Sequence, residues 1–274
     1  MSPSCETRAV AGIQARMSST RLPGKVLEPL AGRPLIERVV ERVRRCVLVE
    51  EVFVLTSEEE SDDPLVEFLE SARIPVRRGS LTDVRSRYLA LARELGPDHL
   101  VRVTGDCPLV EPDFIDLQLG ALRAFDADFV RLAGNERGGL DGTLAGAGVF
   151  SVRALEASGV SEDPRDLEHV SSFYFQEHAE DFRHVEIEVH HDYGRPGLRL
   201  CVDEPEDLAF VRRVFDHFGE RTFRTLDALR WLDAQPELRE LHAHVAESDD
   251  NQAYRRLLRS IRPRVVGRYR RMPA

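Results

Sequence analysis

Residues 11–27 read Ala-Gly-Ile-Gln-Ala-Arg-Met-Ser-Ser-Thr-Arg-Leu-Pro-Gly-Lys-Val-Leu, and this stretch decides the fold. An apolar run, Ala9 to Ile13, leads into small residues, hydroxyls and cations, and a helical pattern starts near Pro34. A strand that delivers such a loop ahead of a helix is a place to bind phosphate. Small residues let backbone N–H groups approach the anion, and Arg16, Arg21 and Lys25 neutralise it. Lys25 is the only lysine among the 38 Lys and Arg residues. A chain so biased towards arginine keeps an ammonium where a compact, rotatable point charge is wanted rather than a rigid planar fork.

Outward from this loop, apolar β-branched runs alternate with helical patterns. Strands are predicted at Ala9–Ala15, Val52–Thr56, Ile74–Val76, His99–Thr104, Asp128–Leu132, Gly148–Val152, Phe182–Val189 and Leu198–Val202. Helices are predicted at Pro34–Cys46, Asp63–Ala72, Leu81–Leu95, Glu111–Phe125, Pro164–Glu177, Pro205–Phe218 and from Thr225 onward. The β-α alternation through about residue 125 predicts an α/β fold, a mostly parallel doubly wound sheet with right-handed crossovers. Ligands then bind beyond the carboxyl ends of the strands. Residues 1–224 are expected to form this domain. Residues 225–274 are expected to form a helical extension with a basic tail, whose eight arginines between Arg255 and Arg271 read as a solvated or subunit-facing face.

The 274 residues carry a net charge of -10, with 42% hydrophobic and 31% charged residues. That balance suits a soluble globular protein and speaks against non-specific nucleic-acid binding or an anionic membrane surface. No apolar run reaches the length of a membrane span, and the N-terminus lacks a signal-peptide core, so a cytoplasmic protein is expected. Cys5, Cys46, Cys107 and Cys201 lie far apart with no CxxC pair, which predicts reduced thiols and neither a disulfide framework nor a zinc site.

Two further stretches carry chemistry. In Leu100–Val110, LVRVTGDCPLV, an apolar strand ending at Thr104 runs into Gly105 and Asp106. In Leu198–Leu208, LRLCVDEPEDL, a second one delivers Asp203, while Glu206 and Asp207 fall in the first turn of the next helix, where the dipole favours acids. Strand-end carboxylates suit Mg2+, which takes one or two carboxylates plus substrate phosphates. Asp106, Asp203 and the cationic loop together predict a metal–nucleotide site. No GxxxxGK[ST] and no GxGxxG is present, which disfavours a P-loop enzyme and a dinucleotide dehydrogenase. The Gly-rich run Ala133–Gly148, with Asn135 and Asp141, reads as a substrate-side loop. His190, His191 and Asp192 are too close in sequence to converge on one ion.

Gln14 to Lys25 resembles the signature loop of the cytidylyltransferases that make CMP-activated sugar acids, nearest to their spore-coat polysaccharide (SpsF-like) branch. Val103–Leu109 resembles that branch's second motif. Arg78-Gly79-Ser80 with Asp83-Val84 and Arg87-Tyr88 resembles its nucleotide-side segment, Glu168-His169-Val170 its substrate-side helix, and Val202-Asp203 with Pro205-Glu206-Asp207 its last metal motif. The likeness spans about residues 8–218. It implies a Rossmann-like nucleotidyltransferase fold, a homodimer, CTP as co-substrate, Mg2+ as cofactor and a small-molecule acceptor. By position, Ala15, Arg16, Ser18, Arg21 and Lys25 would hold the triphosphate, with Arg16 and Lys25 catalytic. Arg78, Gly79, Asp83 and Thr104 would lie on the nucleotide side, Asn135, Asp141, Glu168 and His169 towards the acceptor, and Asp106 and Asp203 on the metal. One departure stands out: where an acidic strand is expected before Val149, this chain reads DGTLAGAGVFS, with Ala145, Gly146, Ala147 and Gly148 in place of acids. The implied reaction moves CMP from CTP to the acceptor and releases pyrophosphate. The competing readings are a Rossmann-like sugar-nucleotide glycosyltransferase and a nucleotide-binding protein with weakened catalysis.

Overall fold

The computed structural model describes residues 7–133, 147–188, 193–195 and 198–241, together with positions 252, 253, 256, 257, 268 and 269. The strands are β1 (Ala9–Gln14), β2 (Pro29–Leu30), β3 (Arg33–Pro34), β4 (Glu51–Ser57), β5 (Val76–Gly79), β6 (His99–Thr104), β7 (Phe129–Ala133), β8 (Ala147–Ser151), β9 (His184–Glu188) and β10 (Arg268–Tyr269). The helices are α1 (Leu35–Val43), α2 (Asp63–Ser71), α3 (Val84–Leu95), α4 (Pro112–Phe125), α5 (Val152–Ala157), α6 (Pro164–Glu168), α7 (Ser172–Glu177), α8 (Pro205–Phe218), α9 (Thr225–Asp233) and α10 (Pro236–Glu240).

The main sheet has the order β10-β9-β7-β8-β6-β1-β4-β5. β1 is an interior strand because Ala9 to Ile13 are apolar or glycine and can be covered on both faces. It pairs in parallel with β4 and β6, and β4 pairs in parallel with β5. Helices cover both faces. Leu35, Ile36, Leu65, Leu119, Val211 and Leu229, from α1, α2, α4, α8 and α9, fill one core. Tyr88, Leu91, Leu155 and Phe175, from α3, α5 and α7, fill the other. Each such side chain contributes roughly 1.5–3 kcal/mol when taken from water.

Several elements differ from the sequence reading, among them β10, a short strand that pairs in parallel with β9 from within the expected helical extension. β8 runs antiparallel to both β6 and β7, a direction that hydrophobic alternation does not encode. The segment Pro164–Glu177 is two helices, not one. Val170 and Ser171 adopt φ of 52° and 62°, and the buried Asp166 turns its carboxylate back to Ser161 Oγ (2.6 Å) and Tyr174 N (2.8 Å). Leu198–Val202 forms no strand. Leu198, Leu200 and Val202 are buried alternately, as the pattern required. Among the described residues the segment forms no ladder; it meets the turn after β6 by the backbone bond from Val202 N to Asp106 O at 2.8 Å.

α9 is fastened to the same core from its first residue. Thr225 N donates to the buried Glu111 Oε2 (2.7 Å) and Thr225 Oγ1 to Leu109 O (2.7 Å), while Arg42 Nη2 donates to Thr225 Oγ1 (2.9 Å). Among the described residues, no helix is long and apolar enough to cross a membrane.

Candidate active site

The ends of β1 and β6 lie side by side, with Gln14 opposite Thr104. Gly105 follows, and its amide donates to Gln14 O at 2.8 Å. A Cβ at position 105 would stand 2.8 Å from that oxygen and 2.9 Å from Ala15 Cβ, so only glycine lets the two strand ends meet. This contact brings Asp106 up to the loop that starts at Ala15. The loop itself is closed by Gly24 N to Met17 O (2.9 Å), and Gly24 takes φ 75° before a single 3-10 turn, Lys25–Leu27. That turn aims Lys25 back into the protein.

The Lys25 ammonium has three N–H bonds and meets three acceptors: Asp106 Oδ2 at 2.7 Å, Val202 O at 2.7 Å and Asp203 Oδ1 at 3.0 Å. The residue is 7% exposed. Burial alone lowers its pKa, and Asp106 and Asp203 more than reverse this, so the ammonium is held above the usual lysine value. Burial likewise pushes the Asp106 carboxyl up, and the Lys25 charge and hydrogen bond overcome it, so it stays below the usual carboxylate range. Lys25 and Asp106 are therefore both charged near neutral pH. Arg21 adds a second cation on the same edge, 3.1 Å from Asp203 Oδ1 and 3.3 Å from Glu204 Oε1. The only lysine of the chain thus bridges the two carboxylates singled out from sequence, 81 and 178 residues away.

The other expected site residues divide into two groups. Arg16 and Glu168, expected on the phosphate and acceptor sides, form an ion pair at 3.4 Å. His169 ends α6, with its amide on Arg165 O (2.8 Å) and its ring beside Phe173. Ala15 is buried, its amide on Leu55 O at 3.1 Å; Ser18 is exposed; Thr104 Oγ1 is 3.0 Å from Cys107 Sγ. The second group is occupied by the fold. Arg78 donates to Ser57 O (2.8 Å) and Glu59 O (2.9 Å) and pairs with Asp63 at 2.7 Å. Asp83 caps α3 by accepting from Ser86 N (2.9 Å), and Gly79 makes room for the Arg87 stem, which a Cβ would approach to 3.0 Å. Asn135, Asp141, the Leu144–Gly146 part of the departing segment, the His190–Asp192 cluster and most of the arginine-rich tail lie outside the described residues.

The expectation of unpaired cysteines needs correction. Cys107 and Cys201 form a disulfide, with Cα atoms 4.4 Å apart across 94 residues of chain. They meet because Val202 pairs with Asp106, and a search for local Cys spacing does not see such a contact. Cys46 remains a buried free thiol, its pKa pushed up by burial.

Two contributors escaped the sequence reading. Asp62 is 0% exposed, and its carboxylate accepts from Met17 N (2.6 Å), Thr56 Oγ1 (2.9 Å), Ser57 N (3.1 Å) and Ser57 Oγ, tying the loop that starts at Ala15 to the end of β4. Its sequence signal, an acid before Asp63-Pro64, reads only as a helix start. Arg199 holds Asp203 and Asp207 from the segment that failed to be a strand.

Residues 10–235 match the cytidylyltransferase family model. The spore coat polysaccharide biosynthesis protein SpsF of Bacillus subtilis (strain 168) is 31% identical over 217 residues, 76% of this chain and 87% of that protein. The 3-deoxy-manno-octulosonate cytidylyltransferase of Geobacter sulfurreducens is 36% identical over 110 residues, 40% of this chain and 43% of its own. A cytidylyltransferase structure from Leptospira borgpetersenii superposes with a TM-score of 0.78 at 27% identity, covering 88% of this chain and 99% of that one. The structure of CMP:2-keto-3-deoxy-manno-octonic acid synthetase complexed with CTP shares the fold, with a TM-score of 0.59 at 19% identity, covering 77% and 99%. These likenesses set aside the glycosyltransferase alternative. The family match takes in every segment that supplies the Lys25–Asp106–Asp203 cluster, and on that extent the chain belongs to the cytidylyltransferase family.

Proposed function

We propose that this chain transfers CMP from CTP to a small sugar acid, in a site where Asp106 and Asp203 hold Mg2+. The observation that carries the reading is the Lys25 ammonium lodged between those two carboxylates. A cation already sits where both can reach it, so the position suits one. With Cys107 and Cys201 bonded to each other, the remaining donors are hard oxygens, which suit Mg2+ rather than a thiophilic metal. When bound, Mg2+ neutralises phosphoryl oxygens of the nucleotide and helps align it for in-line displacement.

The chain's own residues do the rest. An acceptor oxygen attacks the α-phosphorus of CTP; the new O–P bond forms as the bond to the β-phosphate oxygen breaks, and pyrophosphate leaves. Charge gathers on phosphoryl oxygens, so positioned cations matter more than covalent chemistry. Lys25, Arg16 and Arg21 exchange their present carboxylate partners for the triphosphate. Ser18 and the amides of the loop from Ala15 line it, and Arg78, Gly79, Asp83 and Thr104 shape the nucleoside side. Glu168, freed from Arg16, and His169 face the acceptor. The names of the relatives, which include 3-deoxy-manno-octulosonate cytidylyltransferases, support a sugar acid as acceptor. Pyrophosphate release with CTP, UTP, ATP and GTP against sugar acids, sugar phosphates and neutral sugars tests this. CTP with a sugar acid is the expected pair; turnover confined to sugar phosphates would remove the acceptor assignment.

A further inference from the structure

Asp203 stands on a segment that forms no ladder among the described residues and meets the turn after β6 through Val202 N to Asp106 O and the Cys107–Cys201 disulfide, and its carboxylate has a defined setting. Its two oxygens face different partners. Oδ1 faces the phosphate loop and takes Lys25 at 3.0 Å and Arg21 at 3.1 Å. Oδ2 faces away and takes Arg199 Nη2 at 2.9 Å. The same Nη2 lies 3.1 Å from Asp207 Oδ2, and that oxygen also accepts from Asp203 N (3.0 Å) and Glu204 N (3.1 Å). Asp207 is 0% exposed, and the Arg199 side chain is 14% exposed. Backbone and side chain of Asp203 are therefore tied to one buried carboxylate oxygen, the side chain through a guanidinium.

We infer that Arg199 is a positioning residue, which fixes the Asp203 carboxylate so that Oδ1 stays turned to the metal and triphosphate. The argument rests on the proposed role of Asp203 as a metal ligand. Binding of a triphosphate draws Lys25 and Arg21 off Oδ1, because four phosphate charges outcompete one carboxylate. Arg199 has its second anchor in Asp207, which lies inside the protein in the first turn of α8 and is fastened there by the amides of Asp203 and Glu204. Its hold on Oδ2 then remains while Oδ1 changes partner. Without it, the carboxylate is free to rotate about its Cα–Cβ and Cβ–Cγ bonds at the moment its loop-side partners leave. Groups that orient a metal-binding side chain in this way typically change metal affinity 10- to 100-fold when removed.

The test compares Arg199→Met, Arg199→Lys and Asp203→Asn with the wild-type chain. Mn2+ binding in the presence of CTP is read from the electron paramagnetic resonance signal of free Mn2+. Pyrophosphate release is then followed against Mg2+ concentration, with circular dichroism as the check on folding. Arg199→Met is expected to weaken Mn2+ binding and raise the half-saturating Mg2+ concentration by about 10-fold or more, while KM for CTP measured at saturating Mg2+ changes less than about threefold. Arg199→Lys keeps the charge and loses the fork, so its shift is expected to be intermediate; it carries the test if the methionine variant does not fold. Wild-type metal dependence in Arg199→Met, or in Arg199→Lys if only that variant folds, with a weakened Asp203→Asn, overturns the positioning role alone. Wild-type metal dependence in Asp203→Asn overturns the ligand assignment and the positioning role with it.

Discussion

Replacing Lys25 by methionine keeps an unbranched apolar stem, with sulfur in place of Cδ, and removes the ammonium. In the nucleotide-free protein this leaves Asp106 Oδ2, Asp203 Oδ1 and Val202 O without their shared donor. Breaking a buried ion pair from one side costs roughly 3–5 kcal/mol, because the other charge stays desolvated. Here the carboxylate side chains are 25% and 17% exposed, so water reaches them in part and the low end, about 3 kcal/mol, is expected. At roughly 2 °C per kcal/mol for a chain of this size, the unfolding midpoint in chelator should fall by about 6 °C. Mg2+ reverses the order of effects. With the ammonium gone, two carboxylates face a vacated position, and added Mg2+ should raise the midpoint of Lys25→Met by more than it raises that of the wild type. Turnover should still fall by about 10²-fold or more even at saturating Mg2+, since the cation that stabilises the leaving pyrophosphate is missing. Differential scanning fluorimetry with and without Mg2+, beside a pyrophosphate-release assay, reads all three quantities. A variant as stable as the wild type in chelator and indifferent to Mg2+ would refute the bridging role, and near-normal turnover would refute the role at the phosphates.

Two more perturbations reach other parts of the account. Asp62→Asn keeps the shape but offers an amide where Met17 N and Ser57 N both donate. Loss of charge-assisted bonds at about 1.5–3 kcal/mol should destabilise the fold, and slackening of the Arg16 segment should raise KM for CTP more than it lowers kcat; an unchanged KM would detach Asp62 from the loop. His99 and His184 are buried, and burial holds both below the ordinary histidine pKa of 6.5. The unfolded chain then binds protons that the folded one refuses, so stability is intact above pH 6.5 and declines as pH falls below it, by up to about 1.4 kcal/mol per pH unit for each histidine. Urea midpoints that stay level from about pH 7 to pH 5.5 would contradict this.

Much of the frame was legible because it is written in local patterns. β6 starts and ends at His99 and Thr104 and α8 at Pro205 and Phe218, as periodicity and the Pro at the helix start indicate. Lys25, Asp106 and Asp203 were legible for a different reason: a lysine in an arginine chain and acids at the ends of apolar runs are chemical anomalies visible without coordinates. What escaped depends on contacts between distant segments. The direction of β8 and the disulfide of Cys107 with Cys201 are each set by which segment lies alongside which. The break between α6 and α7 escaped for a subtler reason. Its apolar spacing continues through Val170, and the interruption is made by the carboxylate of Asp166, an ordinary helix-face residue in the sequence. Arg78 and Asp83 show the converse, since chemically suggestive side chains turn out to be engaged by backbone groups.

The central claim is that the carboxylates bridged by Lys25 form the metal side of a CMP-transfer site. It is tested most directly by CTP-dependent pyrophosphate release with a sugar acid at saturating Mg2+, in the wild-type chain and in Asp106→Asn and Asp203→Asn variants shown by circular dichroism to be folded. The account predicts release by the wild type and a loss of about 10²-fold or more in each variant. Release at near wild-type rates from either folded variant would contradict it.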